Sequence, residues 1–234
     1  MRGLVLVLSV ATVLVPLTGC CSEPAGGAGP ASSTLGSAPA RGKLEGVTAD
    51  TMADAAKKEG FTVREEATER DELPGVTIFR LTLDHKSKGT AFVDLYDLTD
   101  VSAHNAKPAV TVGTNKTLYV SVSGSPVTSD ALLAALVDKT PIDGMNRAAI
   151  EGFFKSEGWK LGDSSKFKDD ISGQSIVDVA ASKEDTEVMV FLLDYTRVAR
   201  GKEQSAMLRD GQRLLFVDME KRRWSKSLLE QLVK

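Results

Sequence analysis

Beyond residue 21 the chain contains no cysteine. Its only two, Cys20 and Cys21, stand side by side near the start. No disulfide can therefore brace the rest, and no thiolate is available there to hold a metal or act as a nucleophile. Histidine is almost as scarce: His85 and His104 are the only two, where a zinc site needs three or four ligands. The longest apolar run, Leu4 to Val15, is broken by Pro16 and falls short of the roughly 20 residues that cross a bilayer. A surplus of one charge is also missing. The formal net charge of −3 excludes a strongly basic nucleic-acid binder. Neither a glycine-rich phosphate loop nor a nucleophile elbow occurs. What remains must be stabilised by packing alone, which a 42% hydrophobic composition permits.

Arg2 is the only charge before Glu23, and Leu4 to Val15 supplies a short greasy core ahead of the small residues Thr18 and Gly19. That order is the pattern of a secretory signal peptide. Leu17-Thr18-Gly19-Cys20 is similar to the lipobox of bacterial lipoproteins: an aliphatic residue, a small one, glycine or alanine, then cysteine. The resemblance implies removal of residues 1–19, a thioether-linked diacylglycerol on Cys20, and acylation of the new amine. A thiol is the nucleophile such chemistry requires, and two or three acyl chains anchor stably where one does not. In the lipoproteins of many two-membrane bacteria, aspartate after the lipidated cysteine is associated with inner-membrane retention. Here that place is Cys21, which by resemblance favours the outer membrane. In a one-membrane cell the same anchor would leave the protein outside.

Residues 20–43 are rich in glycine, alanine, serine and proline. Such a stretch cannot bury enough apolar surface to offset chain entropy, so it is expected to be a flexible linker. About 22 residues span roughly 25 Å on average and about 75 Å at most.

Beyond the linker one unit is read twice. Lys57-Lys58-Glu59-Gly60-Phe61 recurs as Lys155-Ser156-Glu157-Gly158-Trp159. Val93, Leu95, Asp97, Thr99 and Val101 recur as Val190, Leu192, Asp194, Thr196 and Val198. Leu118-Tyr119-Val120 recurs as Leu215-Phe216-Val217. Ser129, Leu132, Leu133, Leu136 and Val137 recur as Ser225, Leu228, Leu229, Leu232 and Val233. The expected fold is α+β, with two tandem α-β-β-β-α-like repeats over 44–139 and 140–234 and antiparallel sheet covered by helices. One continuous sheet and two separate layers are both compatible with this pattern.

Each repeat is expected to open with a helix, 48–59 and 141–157, the second capped by Thr140. Gly60 and Gly158 stop these helices, and Phe61 and Trp159 fold back on their last turns. Three or four strands follow. Those over 76–83 and 118–122 show one buried face, and those over 91–98 and 188–195 are apolar enough to be central. Asn115 and Asp210-Gly211 mark turns. A closing helix follows in each repeat, with Ser129 and Ser225 as candidate caps.

Candidate sites are few. Asp97 and Thr99 match Asp194 and Thr196 at the exits of equivalent strands. Two readings apply: a paired acidic site that binds cations or does acid–base work, or side chains that cap turns by accepting from nearby backbone N–H groups. Asp94, Asp97 and Asp100 alternate faces while the strand continues, so they cannot line one surface. His85 and His104 fall in polar loops. Lys221-Arg222-Arg223-Trp224 with Lys226 is the densest basic cluster. It could meet lipid headgroups or anionic glycan, or be an exposed loop before the last helix. No residue pattern calls for a cofactor or a metal.

The sequence thus indicates an exported, lipid-anchored, non-enzymatic module that binds an envelope protein and not nucleic acid. Two alternatives follow from the same residues: an inhibitor-like module, and an enzyme using the duplicated aspartates. Cys20→Ala is expected to abolish incorporation of labelled palmitate in cells and to move the protein out of the membrane fraction. Continued membrane retention would contradict the lipid anchor.

Overall fold

Residues 43–70, 73–124, 126–162 and 171–234 are described by the computed structural model. Cys20, Cys21 and all of the linker except Lys43 lie outside them. The first helix, α1 (Ala49–Lys58), starts where Thr48 and Thr51 bond each other's backbone N–H groups in a capping box. Asp50 sits in its first turn and Lys57 and Lys58 in its last, the arrangement the helix dipole favours. Its end is fixed by Gly60, whose φ of 80-odd degrees suits a residue without Cβ. The Phe61 N–H then reaches the Ala56 carbonyl at 3.0 Å and the Gly60 N–H the Lys57 carbonyl, which closes a Schellman motif.

Five strands and a helix follow: β1 (Thr62–Arg70), β2 (Thr77–His85), β3 (Gly89–Asp97), β4 (Ala109–Val112), β5 (Lys116–Ser123) and α2 (Ser129–Lys139). The second repeat runs in the same order: α3 (Arg147–Ser156), β6 (Lys160–Leu161), β7 (Ser175–Lys183), β8 (Thr186–Asp194), the short α4 (Thr196–Ala199), β9 (Ala206–Asp210), β10 (Arg213–Met219) and α5 (Arg222–Leu232). At the end of α3, Gly158 and Trp159 repeat the Schellman closure. The α+β class and the repeated order expected from the sequence are both present.

The repeats exchange strands. One sheet runs β1-β2-β3-β10-β9 and the other β4-β5-β8-β7-β6, antiparallel throughout. Each repeat keeps its first three strands and sends its last hairpin and closing helix into the other's sheet. β3 and β8 are the central strands, as their apolar content indicates. Neither sheet belongs to one repeat, so the boundary near residue 140 is not a boundary between sheets.

Strand alternation assigns the faces. Leu81, Leu83, Val93, Leu95, Leu215 and Val217 of the first sheet pack under α1 and α5 with Met52, Ala56, Leu228 and Leu232. Leu118, Val120, Val179, Val188, Val190 and Leu192 of the second pack under α2 and α3 with Leu132, Leu136, Ile150 and Phe154. The opposite faces meet each other through Ile78, Tyr96, Tyr119, Ile176, Leu193, Leu214 and Phe216. The order is helices, sheet, sheet, helices.

Several local expectations are corrected. The helix expected over 141–157 is a 3-10 turn at Ile142–Gly144 followed by α3, because Met145 is extended and Asn146, not Thr140, caps the helix by accepting from the Ala149 N–H. Thr140 instead ends α2. Ser129 and Ser225 are not caps. Thr128 caps α2, Ser129 Oγ accepts from the Val122 N–H, and Ser225 Oγ donates to the Gln204 carbonyl. Residues 118–120 are buried on both faces, since β5 lies inside a sheet sandwiched on both sides. β1 and β4 add strands beyond the three or four expected in each repeat. β1 reads Thr-Val-Arg-Glu-Glu-Ala-Thr-Glu-Arg, an edge strand whose apolar signal is nearly nil.

The exchange predicts that neither repeat folds alone, since each would expose the face its partner's hairpin and helix cover. Separately expressed 1–139 and 140–234 fragments are expected to lack a cooperative thermal transition by circular dichroism and to regain it on mixing. A cooperative transition in either fragment alone would show that the exchange is dispensable.

Candidate functional site

The duplicated aspartates lie where the exchanged strands begin. Asp97 ends β3 and Asp194 ends β8. Their partners in the neighbouring strand are Arg213, at the start of β10, and Lys116, at the start of β5. Arg213 Nε is 2.9 Å from Asp97 Oδ2, and Lys116 Nζ is 3.1 Å from Asp194 Oδ2. The same cations hold the chain just ahead of the opening helices. The Arg213 guanidinium donates to the carbonyls of Leu44 and, at 2.6 Å, Val47, and Lys116 Nζ donates to the Met145 carbonyl at 2.5 Å.

The other oxygen of each carboxylate closes a turn. Asp97 Oδ1 accepts from the Thr99 N–H and, at 2.6 Å, from Thr99 Oγ1. Asp194 Oδ1 accepts from the Thr196 N–H at 3.0 Å. Both carboxylates are therefore occupied twice, by a cation from the other repeat and by their own turn. They lie in different sheets, each with its own cation. This is the turn-capping arrangement, extended by an ion pair. Lys116 and Arg213 were missed from the sequence, although they stand at matching positions just after matching turns.

Of the acidic run, Asp94 faces the other sheet and Asp97 the helices, as alternation requires. Asp94 approaches Arg80 Nε at 3.7 Å, and Arg80 reaches Glu69 Oε1 at 2.6 Å. Burial works against the Arg80 charge, but Asp94, Tyr96 and Glu69 outweigh it and raise its pKa. His85 Nδ1 accepts from the Ser87 and Lys88 N–H groups, and His104 Nδ1 from the Ala106 N–H, so each histidine shapes its own loop. Among the described residues no three of His, Cys, Asp and Glu are grouped to hold a metal. The basic cluster is not a loop: Arg222, Arg223 and Trp224 form the first turn of α5. Lys221 Nζ and Arg223 Cζ lie 5.0 and 5.3 Å from the Trp224 ring centre.

A buried polar group that the sequence did not suggest is Asp218. It lies on the face of β10 turned to the other sheet, and its Oδ2 accepts from the Ser172 N–H at 3.0 Å. Burial pushes its carboxyl pKa up. The N–H groups of Ser172 and Met219 oppose that rise, and the charge of Glu203 adds to it. Ser205 Oγ donates to the Ser172 carbonyl and Gln174 Nε2 to Tyr96 Oη, so the cluster ties the 171–174 turn to the first sheet.

Among the described residues, one open surface lies on the second sheet. Two adjacent cross-strand rows, Ser121–Met189–Ala180 and Ser123–Glu187–Ser182, face the first sheet's side but extend past its cover. With Pro74 and Gly162 they line a concavity of about 540 Å³. Met189 is 44% exposed there. Glu187 is the one ionisable side chain among the described residues that line it. The matching rows of the first sheet are Asp218–Phe92–Thr82 and the pair Thr90–Asp84, with two carboxylates where the second sheet has one. A surface of small residues with one thioether suits binding, because methionine adapts to irregular apolar partners.

No protein-family model matches this chain, and no curated protein matches it in sequence.

The Asp218 environment generates a pH prediction. A carboxyl whose folded pKa is raised destabilises the fold above that pKa, and the cost vanishes as pH falls below the unfolded value, about 3.9. Asp218→Asn keeps an acceptor for Ser172 and removes the charge. Its melting temperature is expected to exceed that of the wild type at pH 7, with the gap closing toward pH 4. A gap independent of pH would show that the charge carries no cost.

Proposed function

We propose that this chain is an exported lipoprotein, held to a membrane through acylated Cys20, that works as a non-enzymatic binding module for another component of the cell envelope. The observation that carries this reading is the concavity around Met189: about 540 Å³, lined by serine, alanine, valine and methionine, with Glu187 as its one ionisable lining residue among those described. Pockets of that size accommodate ligand-sized apolar groups. The engagement of Asp97 by Arg213 and of Asp194 by Lys116 supports a structural role for the duplicated aspartates over the enzyme alternative. The linker would let the module search within roughly 75 Å of its anchor, which suits a partner in or near the same membrane. Outer-membrane placement in a two-membrane cell belongs to the same reading.

A photoreactive amino acid placed at Met189 in cells is expected to give a discrete cross-linked adduct. The same label at Asp54, exposed on α1, is expected to give none, and the Met189 adduct is expected to fall sharply in the Cys20→Ala background. Equal labelling from both positions, or no adduct from Met189, would remove the support for this reading.

A further inference from the structure

Each half of the fold, taken as one sheet with the two helices that cover it, closes the gap between its paired helices in a different way. In the first half, Trp224 stands beside Phe61 and Leu228 at the edge of the core beneath α1 and α5. The space left there is about 30 Å³. Trp224 is available because α5 begins at Arg222, one turn ahead of Ser225. In the second half Ser129 matches Ser225, and α2 begins only there. The residue matching Trp224 is Thr128, which is extended and spends its hydroxyl capping the helix at the Ala131 N–H. The turn that would carry an indole is not formed.

Between α2 and α3 lies an open groove of about 400 Å³, lined on the α2 side by Val127, Ala131, Leu132 and Ala135. Leu132, Phe153 and Trp159 line it in places matching Leu228, Ala55 and Phe61 of the first half. Glu157 and Glu184 lie exposed on its rim. Lys183 Nζ is held by the Glu157 carbonyl at 2.8 Å and lies 6.0 Å from the Trp159 ring centre. Glu184 opens the two-residue turn between β7 and β8, where hairpin geometry calls for its φ of 54°.

The first half shows what fills such a groove: an indole flanked by the cations Lys221 and Arg223. We propose that the groove between α2 and α3 is a docking site for an aromatic side chain, tryptophan by preference, flanked by basic residues on a partner polypeptide. The aromatic group takes the place that Trp224 takes in the first half, and the basic flanks meet Glu157 and Glu184. Tryptophan and arginine are the side chains that most often dominate binding at such pockets. The inference deepens the binding-module reading by naming a partner chemistry. It uses the helix-side face of the second sheet, opposite the concavity around Met189.

The test uses the full lipidated protein in detergent and a fluorescent peptide with the sequence of residues 221–227, Lys-Arg-Arg-Trp-Ser-Lys-Ser, followed by anisotropy. Saturable binding is expected, weakened at least tenfold when the peptide's tryptophan is alanine. Ala131→Trp, at a residue that lines the groove and leaves the Thr128 cap in place, should fill it with an indole and block binding by a similar factor. Ala135→Trp, about one turn further along α2, serves the same purpose if Ala131→Trp does not fold. Glu157→Lys with Glu184→Lys should weaken binding several-fold and flatten its salt dependence. No saturable binding, or binding unchanged in a folded groove-filling variant, would overturn the proposal. Cross-linking from Met189 in the groove-filled variant separates the two readings: it should persist even if the groove binds nothing.

Discussion

Two ion pairs at matching positions hold the exchange of strands on which the structure depends. Arg213 with Asp97 and Lys116 with Asp194 each join a strand of one repeat to a strand of the other. Each cation also binds the carbonyl just before an opening helix, Val47 or Met145. A single side chain thereby fixes three things: the end of the central strand, the start of the exchanged strand and the entry to the helix above. These side chains are only partly exposed, so the pairs are less screened than ordinary surface ion pairs. Removing one partner would leave the other charge poorly solvated and cost about 1–3 kcal/mol. The adjacent backbone bonds repeat as well. The Leu98 N–H reaches the Gln212 carbonyl and the Tyr195 N–H the Asn115 carbonyl, each at 3.1 Å.

On this shared frame the halves have diverged at their surfaces. The rows of the first sheet that match the concavity carry Asp218, Phe92, Thr82, Thr90 and Asp84, and those of the second carry serine, alanine, methionine and the single carboxylate of Glu187. The helix layer of the first half is closed by Trp224, while that of the second is open beside Val127, Ala131 and Leu132. In both comparisons the second half presents the more open, apolar surface. A duplicated fold allows this, because the frame depends on the clasps and central strands while the strand ends and helix starts are free to vary. The polar cluster at Asp218 carries a different load, since it trades a charge disfavoured by burial for a fixed 171–174 turn.

Much of the fold was legible because its signals are local. The Gly60 and Gly158 helix ends, the apolar runs of β3 and β8, and the leucine stripe of α2 each follow from neighbours within a few residues. Where the signal weakens, the expectation failed for a definable reason. β1 is a charged edge strand, so it has little apolar pattern to read. Pro141 and Asp143 look like a helix start, but Gly144 and Met145 interrupt the chain, and Asn146 supplies the working cap. The Lys221 cluster looks like a loop because three basic residues at a helix start oppose the dipole, yet packing of Trp224 and Leu228 holds that first turn in place.

The sequence alone determined the α+β class and the repeated order of elements, and it offered turn capping as one of two readings of the duplicated aspartates. Each is carried by residues close together in the chain. Tertiary structure decided which repeat's strands share a sheet, which cation answers each aspartate, and which surfaces are left open. Those outcomes depend on contacts between residues about a hundred positions apart, as with Asp97 and Arg213. Two matching repeats have the same strand preferences whether they pair within themselves or with each other, so local pattern cannot choose between the two. In the folded chain that choice is expressed in the β3–β10 and β5–β8 ladders, with the two sheets packed face to face, and the same arrangement leaves Met189 and the groove between α2 and α3 open.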